Sequence, residues 1–386
     1  MALRLFTFVT CALLLAACSQ PPAHVQTTTA GPCSPTALEG PCAIDDAGVA
    51  MNDIQAVGSH NSYKLPIPPA EMALLSLAEP ELAQTLDYGH APLTEQLDLG
   101  MRQIELDVYY DPEGGRYADP LLPRRLGFMP GTPRIDTEAL RRPGFKVAHV
   151  QDVDARSSCT LFTACLAQIR AWSDAHPEHA PILIMLNAKD DKIELDGSVD
   201  PLPFDAAAFD ALDAEILASF PRAQLITPDD VRGNAATLRE GALGGGWPSL
   251  AAARGRVFFA LDEGAAKVTA YLRGHASLEG LPMFVNSLSE AAPHAAYFTM
   301  NEPIADQERI RAAVAAGFIV RTRADADTRE ARTGDTTRRE AAFASGAQYI
   351  STDYYYARPD FSDYAVALPG GSPAHCNPVR GCGAPP

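Results

Sequence analysis

Glu105 and Asp107 stand two residues apart in the apolar run 103–108. On a strand that spacing turns both side chains to one face. Inside a closed sheet, two unpaired carboxylates repel each other and lose their hydration. A hard divalent cation resolves the conflict, and carboxylate plus carbonyl oxygens are the ligands Ca2+ or Mg2+ takes. Asn61 and Asn187, each at the end of another apolar run, can add amide oxygens. The plainer alternative pairs Glu105 with Arg102 or another arginine and leaves Asp107 solvated at a rim. Two histidines tip the balance: His60 in Gly58-Ser59-His60-Asn61-Ser62-Tyr63, and His149 in Ala148-His149-Val150. Either alone reads as a hydrogen-bonded structural residue. Together, on either side of a carboxylate-bearing strand, they suit a general base and a general acid facing one phosphate. Cleavage of a phosphodiester by an internal hydroxyl needs one group to take the hydroxyl proton and another to protonate the departing alkoxide, and imidazole does both near neutral pH. A cation beside them stabilises charge on the phosphoryl oxygens. The other seven histidines, His90 among them beside a glycine, have no comparable company.

The elements that must hold these groups are short apolar runs at 54–57, 103–108, 146–149, 182–186, 257–261, 283–285, 318–321 and 348–351, alternating with helix-like stretches such as 161–175, 204–219, 306–316 and 329–344. Eight strand–helix repeats over some 300 residues predict a closed, parallel (β/α)8 barrel, whose reacting groups sit where the strands end and the βα loops begin. No G-x-G-x-x-G follows the first run, which disfavours a doubly wound open sheet. Pro/Gly-rich stretches at 112–144, 196–203 and 232–248 read as loops inside the barrel, since strand signals resume after each.

With 47% hydrophobic residues the chain is no disordered polymer. A formal charge of −17 removes any general attraction to nucleic acid or anionic membranes. The first 17 residues read as a secretory signal: Arg4, then an apolar run too short to span a bilayer. Leu15-Ala16-Ala17-Cys18 resembles a bacterial lipobox, with Cys18 as the lipidated residue. Residues 18–49 then form a polar tether with Cys33 and Cys42, 50–366 the barrel, and 367–386 an irregular tail held by two cysteines. Six cysteines remain after Cys11 and Cys18, an even number that reads as disulfides in an exported chain. The sequence-adjacent pairs 33/42, 159/165 and 376/382 are the simplest pairing. None forms a C-x-x-C pair, so zinc is disfavoured.

Gly-Ser-His-Asn-Ser-Tyr after the first strand, then Glu-x-Asp, then Ala-His, resembles the catalytic half of calcium-dependent phosphoinositide phospholipases C, especially their bacterial secreted branch, over about 52–356. The run 321–328 and the ending 350–354 look similar too. The resemblance implies a PLC-like phosphodiesterase barrel that cuts phosphatidylinositol-like lipids between glycerol and phosphate, by attack of an inositol hydroxyl through a cyclic phosphate. It implies His60 and His149 as the catalytic imidazoles and Asn61, Glu105 and Asp107 as Ca2+ ligands. The fourth strand of that family commonly ends in a ligating Glu followed two residues later by Lys. Here Lys189 is present but Asn187 replaces the Glu, so the site loses one negative charge and a weaker calcium affinity is expected. Lys189 and Arg323 are candidates to contact substrate phosphate, and Asp353 to orient one histidine. Salt bridges among Lys189, Arg321, Arg323 and Asp325 are the competing reading of these groups. The implied setting is a bacterial cell envelope, with the lipid anchor at Cys18 as the link to membrane and no protein partner evident.

A glycerophosphodiester phosphodiesterase is the nearest alternative. Those barrels typically follow the first histidine with Arg and bring the second soon after the carboxylates. Here Asn61 follows His60, and a long stretch separates Asp107 from His149. A lipid- or sugar-binding surface lipoprotein that has lost catalysis is a third reading, favoured by Asn187 and disfavoured by the retained pair of histidines.

Overall fold

The computed structural model describes residues 36–40, 43–125 and 135–382; the signal-like segment, Cys18, Cys33 and Cys42 lie outside them. Ten strands occur among the described residues: β1 (Ile54–Ser59), β2 (Gln103–Tyr109), β3 (Lys146–Val147), β4 (Ile182–Ala188), β5 (Val257–Leu261), β6 (Met283–Val285), β7 (Tyr297–Thr299), β8 (Ile319–Arg323), β9 (Tyr349–Thr352) and β10 (Ala374–Cys376). Eight run parallel in the order β6-β5-β4-β2-β1-β9-β8-β7. The ends of this row meet through one parallel pair, Asn286 with Tyr297, so the expected (β/α)8 barrel is present and nearly closed. Its strands are buried on both faces, one against the barrel interior and one against the helices, as near-continuous apolar composition requires of a parallel sheet.

Three expectations about the strands and the tail need correction. The run 146–149 is not a barrel strand: β3 pairs antiparallel with the end of β2, Val108 with Val147 and Tyr109 with Lys146. The insertion that precedes it leads the chain back along β2, and the buried Lys146 ammonium is consumed there by Asp111 and by the Arg142 and Gly144 carbonyls. The barrel strand missing from the sequence reading is β7, three residues long and too short to give a periodic signal. Finally, the tail is not irregular throughout, because β10 pairs antiparallel with the first half of β1. Two of the simplest disulfide pairings are present, Cys159–Cys165 and Cys376–Cys382.

β10 takes up the early part of β1, leaving a single register pair between β1 and β2, Gly58 with Gln103. Glycine is needed there: a Cβ on Gly58 would lie 2.3 Å from the Gln103 Cβ and 2.5 Å from its carbonyl oxygen. Any larger residue would force apart the two strands that carry His60 and the carboxylates.

Between β1 and β2 the chain forms a helical hairpin, α1 (Pro69–Ala78) and α2 (Pro80–Thr85), and then α3 (Leu93–Asp98). Proline opens both hairpin helices in their first turn, where a missing N–H costs nothing. The stretch expected as one helix over 329–344 breaks into two at Gly334, whose φ is +70°.

Candidate active site

The strand register assembles the site. Ser59 pairs with Thr352 across β1 and β9, so His60 and Asp353 leave their strands side by side. His60 Nδ1 lies 2.8 Å from Asp353 Oδ1. Burial raises the Asp353 carboxyl, but His60 and Arg323 outweigh it and hold the group well below the usual carboxylate range. An ionised carboxylate only accepts hydrogen bonds, so the His60 proton sits on Nδ1 and Nε2 keeps its lone pair. Burial first and the Arg323 guanidinium second push the imidazole pKa down to about 3, against the pull of Asp353. Arg323 Nη2 donates to Asp353 Oδ2 at 3.1 Å, and its Nη1 lies 3.4 Å from His60 Nε2.

His149 is built the same way on a different element. It follows β3, and a turn bridging Val150 to Asp154 brings the Asp154 carboxylate to 2.9 Å from His149 Nδ1. Asp152, at φ +69°, makes that turn and accepts the Leu121 and Val199 amides. The loop after β1 pairs with the same segment through Lys64 and Ser157. That places the fully buried Lys64 ammonium 3.3 Å from Asp154 and within donating distance of the Leu86 and Tyr88 carbonyls. Burial raises the Asp154 carboxyl, and Lys64 followed by His149 lowers it further than burial raises it. Each imidazole thus turns Nδ1 to a buried carboxylate.

Tyr88 stands between the two rings, stacked on His60 at 6.0 Å and edge-on to His149 at 6.4 Å. Its hydroxyl accepts from Asn61 Nδ2 at 2.7 Å. Asn61 holds a left-handed φ of +47°, a conformation asparagine tolerates better than most residues, while the Tyr63 hydroxyl reaches toward its Oδ1 at 3.4 Å.

Glu105 and Asp107 do share the inner face of β2. Asp107 pairs in register with Asn187, whose Nδ2 lies 3.1 Å from Glu105 Oε1 and 3.2 Å from Asp107 Oδ1. Arg321 Nη2 donates to Glu105 Oε2 at 2.7 Å, and Lys189 Nζ is 3.4 Å from Asp107 Oδ2. His60 Nε2 is 3.7 Å from Glu105 Oε1. Burial, with Arg321 pulling the other way, pushes the Glu105 carboxyl up to about 8. Among the described residues no three His, Cys, Asp or Glu side chains are grouped to hold a metal. A cation here would therefore take Glu105 and Asp107 and complete its ligands with amide oxygens. The donor set fits a hard cation: two carboxylates bridged by one amide, with Asn61 on the adjoining strand end. Asn187 presents nitrogen to both carboxylates, and a half-turn of its amide presents oxygen.

All nine residues singled out from the sequence for catalysis, substrate or metal lie at this mouth. Arg323 is engaged by Asp353, and Lys189 keeps 31% of its side chain exposed. The sequence reading missed Lys64, Tyr88, Asp154 and Asp262, and it passed over His90. Asp262, just past β5, neighbours Asn187, with its N–H donated to the Leu186 carbonyl, and is a further carboxylate in the polar ring; Asn286 Nδ2 donates to it at 3.1 Å. His90 lies 2.7 Å from the His60 carbonyl through Nε2 and stacks on Tyr355. A cavity of about 690 Å³ at the other end of the barrel, lined by Glu39, Asp98, Arg102, Trp172 and His176, contains none of these groups.

A family model described as phosphoinositide phospholipase C, Ca2+-dependent, matches residues 49–378. No curated protein matches the chain. Among solved structures, the calcium-dependent phosphoinositol-specific phospholipase C of a Gram-negative Pseudomonas species is 18% identical with a TM-score of 0.54, covering 88% of this chain and 99% of that one. The Ca2+-dependent phosphatidylinositol-specific phospholipase C of Streptomyces antibioticus is 19% identical with a TM-score of 0.50, covering 80% and 96%. At these identities the likeness is one of fold.

Proposed function

Because the chain belongs to the Ca2+-dependent phosphoinositide phospholipase C family, and is thus a calcium-dependent phosphodiesterase, we propose that it cleaves phosphatidylinositol-like lipids between glycerol and phosphate, with His60 as general base and His149 as general acid. The observation that carries this reading is the pair of imidazoles on either side of Tyr88, each with Nδ1 tied to a buried carboxylate. His60, held neutral, keeps on Nε2, 3.4 Å from Arg323 Nη1, the lone pair that accepts the proton of an inositol hydroxyl. His149 delivers a proton from Nε2 to the glycerol alkoxide, and Asp154 stabilises the imidazolium from which it comes. Attack by the inositol hydroxyl forms the new P–O bond as the glycerol–phosphate bond breaks, giving a cyclic inositol phosphate and diacylglycerol. Lys189, the one of these cations with substantial exposure, is the proposed phosphate contact. Arg323 acts through Asp353 and His60.

Glu105, Asp107, Asn61 and Asn187 would hold Ca2+. When bound, the ion supplies positive charge opposite the phosphoryl oxygens and makes a neighbouring hydroxyl more acidic. Burial holds a proton on Glu105 up to about pH 8, while a cation needs the ionised carboxylate. Calcium binding therefore displaces that proton, and affinity rises with pH by up to about tenfold per unit until it levels above about 8. Isothermal titration in buffers of different ionisation enthalpy reads both the affinity and the proton released. An affinity independent of pH between 6 and 8 would contradict this assignment.

Export is part of the proposal. The two disulfides support it, since such bonds persist in oxidising compartments. Anchoring at Cys18 rests on the sequence motif alone.

The test is incubation of the full chain with phosphatidylinositol, with calcium and with chelator, followed by analysis of the aqueous phase. Calcium-dependent release of cyclic inositol phosphate is expected. Turnover of glycerophosphocholine with no release from inositol lipid would replace this reading with the glycerophosphodiester one.

A further inference from the structure

We infer that Asp325 is a positioning residue, whose carboxyl group fixes the turn from which Asp353 orients His60. The inference rests on His60 as the general base and adds what keeps that base aimed.

β8 and β9 stay in register as far as Arg323 and Ser351, and the Ala324 N–H still donates to the Ser351 carbonyl. In a parallel pair the next bond would run from the Asp353 N–H to the Ala324 carbonyl. Here both groups are diverted. The Ala324 carbonyl accepts from the Tyr364 hydroxyl at 2.9 Å, and the Asp353 N–H donates to Asp325 Oδ1 at 2.9 Å. Asp325 Oδ2 accepts from the Thr352 hydroxyl and lies 3.3 Å from the Tyr364 hydroxyl. Thr352 Oγ1 in turn accepts the Tyr354 N–H at 2.8 Å. One side chain thus ties down Thr352 and Asp353 where the backbone ladder gives out.

This is not the salt bridge that the sequence offered for Asp325. The side chain is fully buried, and among the described residues no ion pair engages it directly. Arg323 gives Nη2 to Asp353 and turns Nη1 to His60. Burial, with the Asp353 charge added, pushes the Asp325 carboxyl up to about 7 against the pull of Arg323. Below neutral pH the negative charge facing His60 is therefore that of Asp353, and Asp325 contributes hydrogen bonds. The His60 proton sits on Nδ1 because Asp353 accepts it there. With that acceptor loosened, the proton redistributes between the two ring nitrogens, and a ring protonated on Nε2 has no lone pair there to act as base.

Heteronuclear NMR of the full chain, labelled with 15N in histidine and free of substrate, reads the tautomer of each ring. The wild-type His60 ring should carry its proton on Nδ1, with His60→Ala assigning the signal. In Asp325→Ala a mixture containing the Nε2-protonated form is expected. Cleavage of phosphatidylinositol should then show kcat lowered about 10- to 100-fold at nearly unchanged KM, the scale of loss that a misplacement of about 1 Å produces. His149, held separately through Asp154 and Lys64, should keep its wild-type signals, which a general loss of fold would not spare. Asp325→Asn retains an oxygen for the Asp353 N–H and should restore the wild-type tautomer. Thr352→Val removes the hydroxyl held by Oδ2 and should shift the His60 signal the same way by less. It decides the matter if the alanine variant does not fold. An unchanged His60 ring in Asp325→Ala, or in Thr352→Val where only that variant folds, overturns the proposal. So does a shift shared equally by His149. A shifted tautomer in a protein whose His60→Ala variant keeps its activity upholds the positioning and removes the general-base reading instead.

Discussion

His60→Ala is expected to lower kcat for inositol-lipid cleavage by about 10²–10⁴-fold, the range a positioned acid–base group contributes, with KM changed little. The side chain, 18% exposed, is held through Nδ1 to Asp353 and stacks on Tyr88, and Arg323 still pairs with Asp353 once the ring is gone. Thermal stability should stay near wild type, which separates loss of chemistry from loss of fold. His149→Ala should cost a comparable factor. Because both imidazoles serve one displacement, the double variant should fall far short of the product of the two losses, as residues acting as a unit do. Asp353→Asn is the finer probe. It leaves the ring in place but weakens the hold on the Nδ1 proton, so a kcat loss smaller than that of His60→Ala, with an altered pH profile, is expected. Steady-state kinetics on phosphatidylinositol in mixed micelles measures all four variants. A kcat for His60→Ala within about tenfold of wild type would remove His60 from the mechanism.

Lys64→Met carries the largest expected stability effect, about 3–5 kcal/mol. The ammonium is fully buried, donates to two carbonyls, lies 4.5 Å from the centre of the Tyr88 ring and pairs with Asp154. Removing it leaves a buried carboxylate hydrogen-bonded to His149 Nδ1 without the ammonium, and two carbonyls lose a donor. The sign of the pH dependence follows from Asp154, whose folded-state pKa is lowered. A depressed carboxyl contributes stability above its unfolded pKa and loses it as pH falls through the folded one. The deficit of the variant is therefore largest at neutral pH and shrinks as the pH drops below the ordinary aspartate range. Urea unfolding at several pH values measures it. Adding Asp154→Asn should recover part of the loss by removing the stranded charge; a double variant no more stable than Lys64→Met would place the cost elsewhere.

The features legible in the sequence were those set by local geometry. The two-residue period of a strand put Glu105 and Asp107 on one face whatever the rest of the chain did. Seven of the eight barrel strands were long or apolar enough to stand out. What stayed hidden depended on turns and register. Tyr297–Thr299 is too short to show a period, and 146–149 reads as a strand without revealing its direction. Asp154 could not be told from Asp152 as the partner of His149, because only the turn at Val150–Asp154 decides between them. Lys64 carries no local signal of its own. Its burial follows from a bridge to Ser157 that no local pattern encodes.

The pairing of β1 also sets an order of events. The first barrel strand takes its neighbours on one side from β9 and, along its first half, from β10, near the opposite end of the chain. A polypeptide emerging N-terminus first, from a ribosome or an export pore, holds β1 without these partners until about residue 376 is free. Contacts of such long sequence separation form slowly. The helices and the β2–β4–β5 sheet can assemble in transit, but His60 cannot meet Asp353 until synthesis or passage is almost complete. The His60–Asp353 pair is thus withheld until the molecule has arrived whole, and on the proposed mechanism a chain arrested short of its last strands would be inert as well as unfinished.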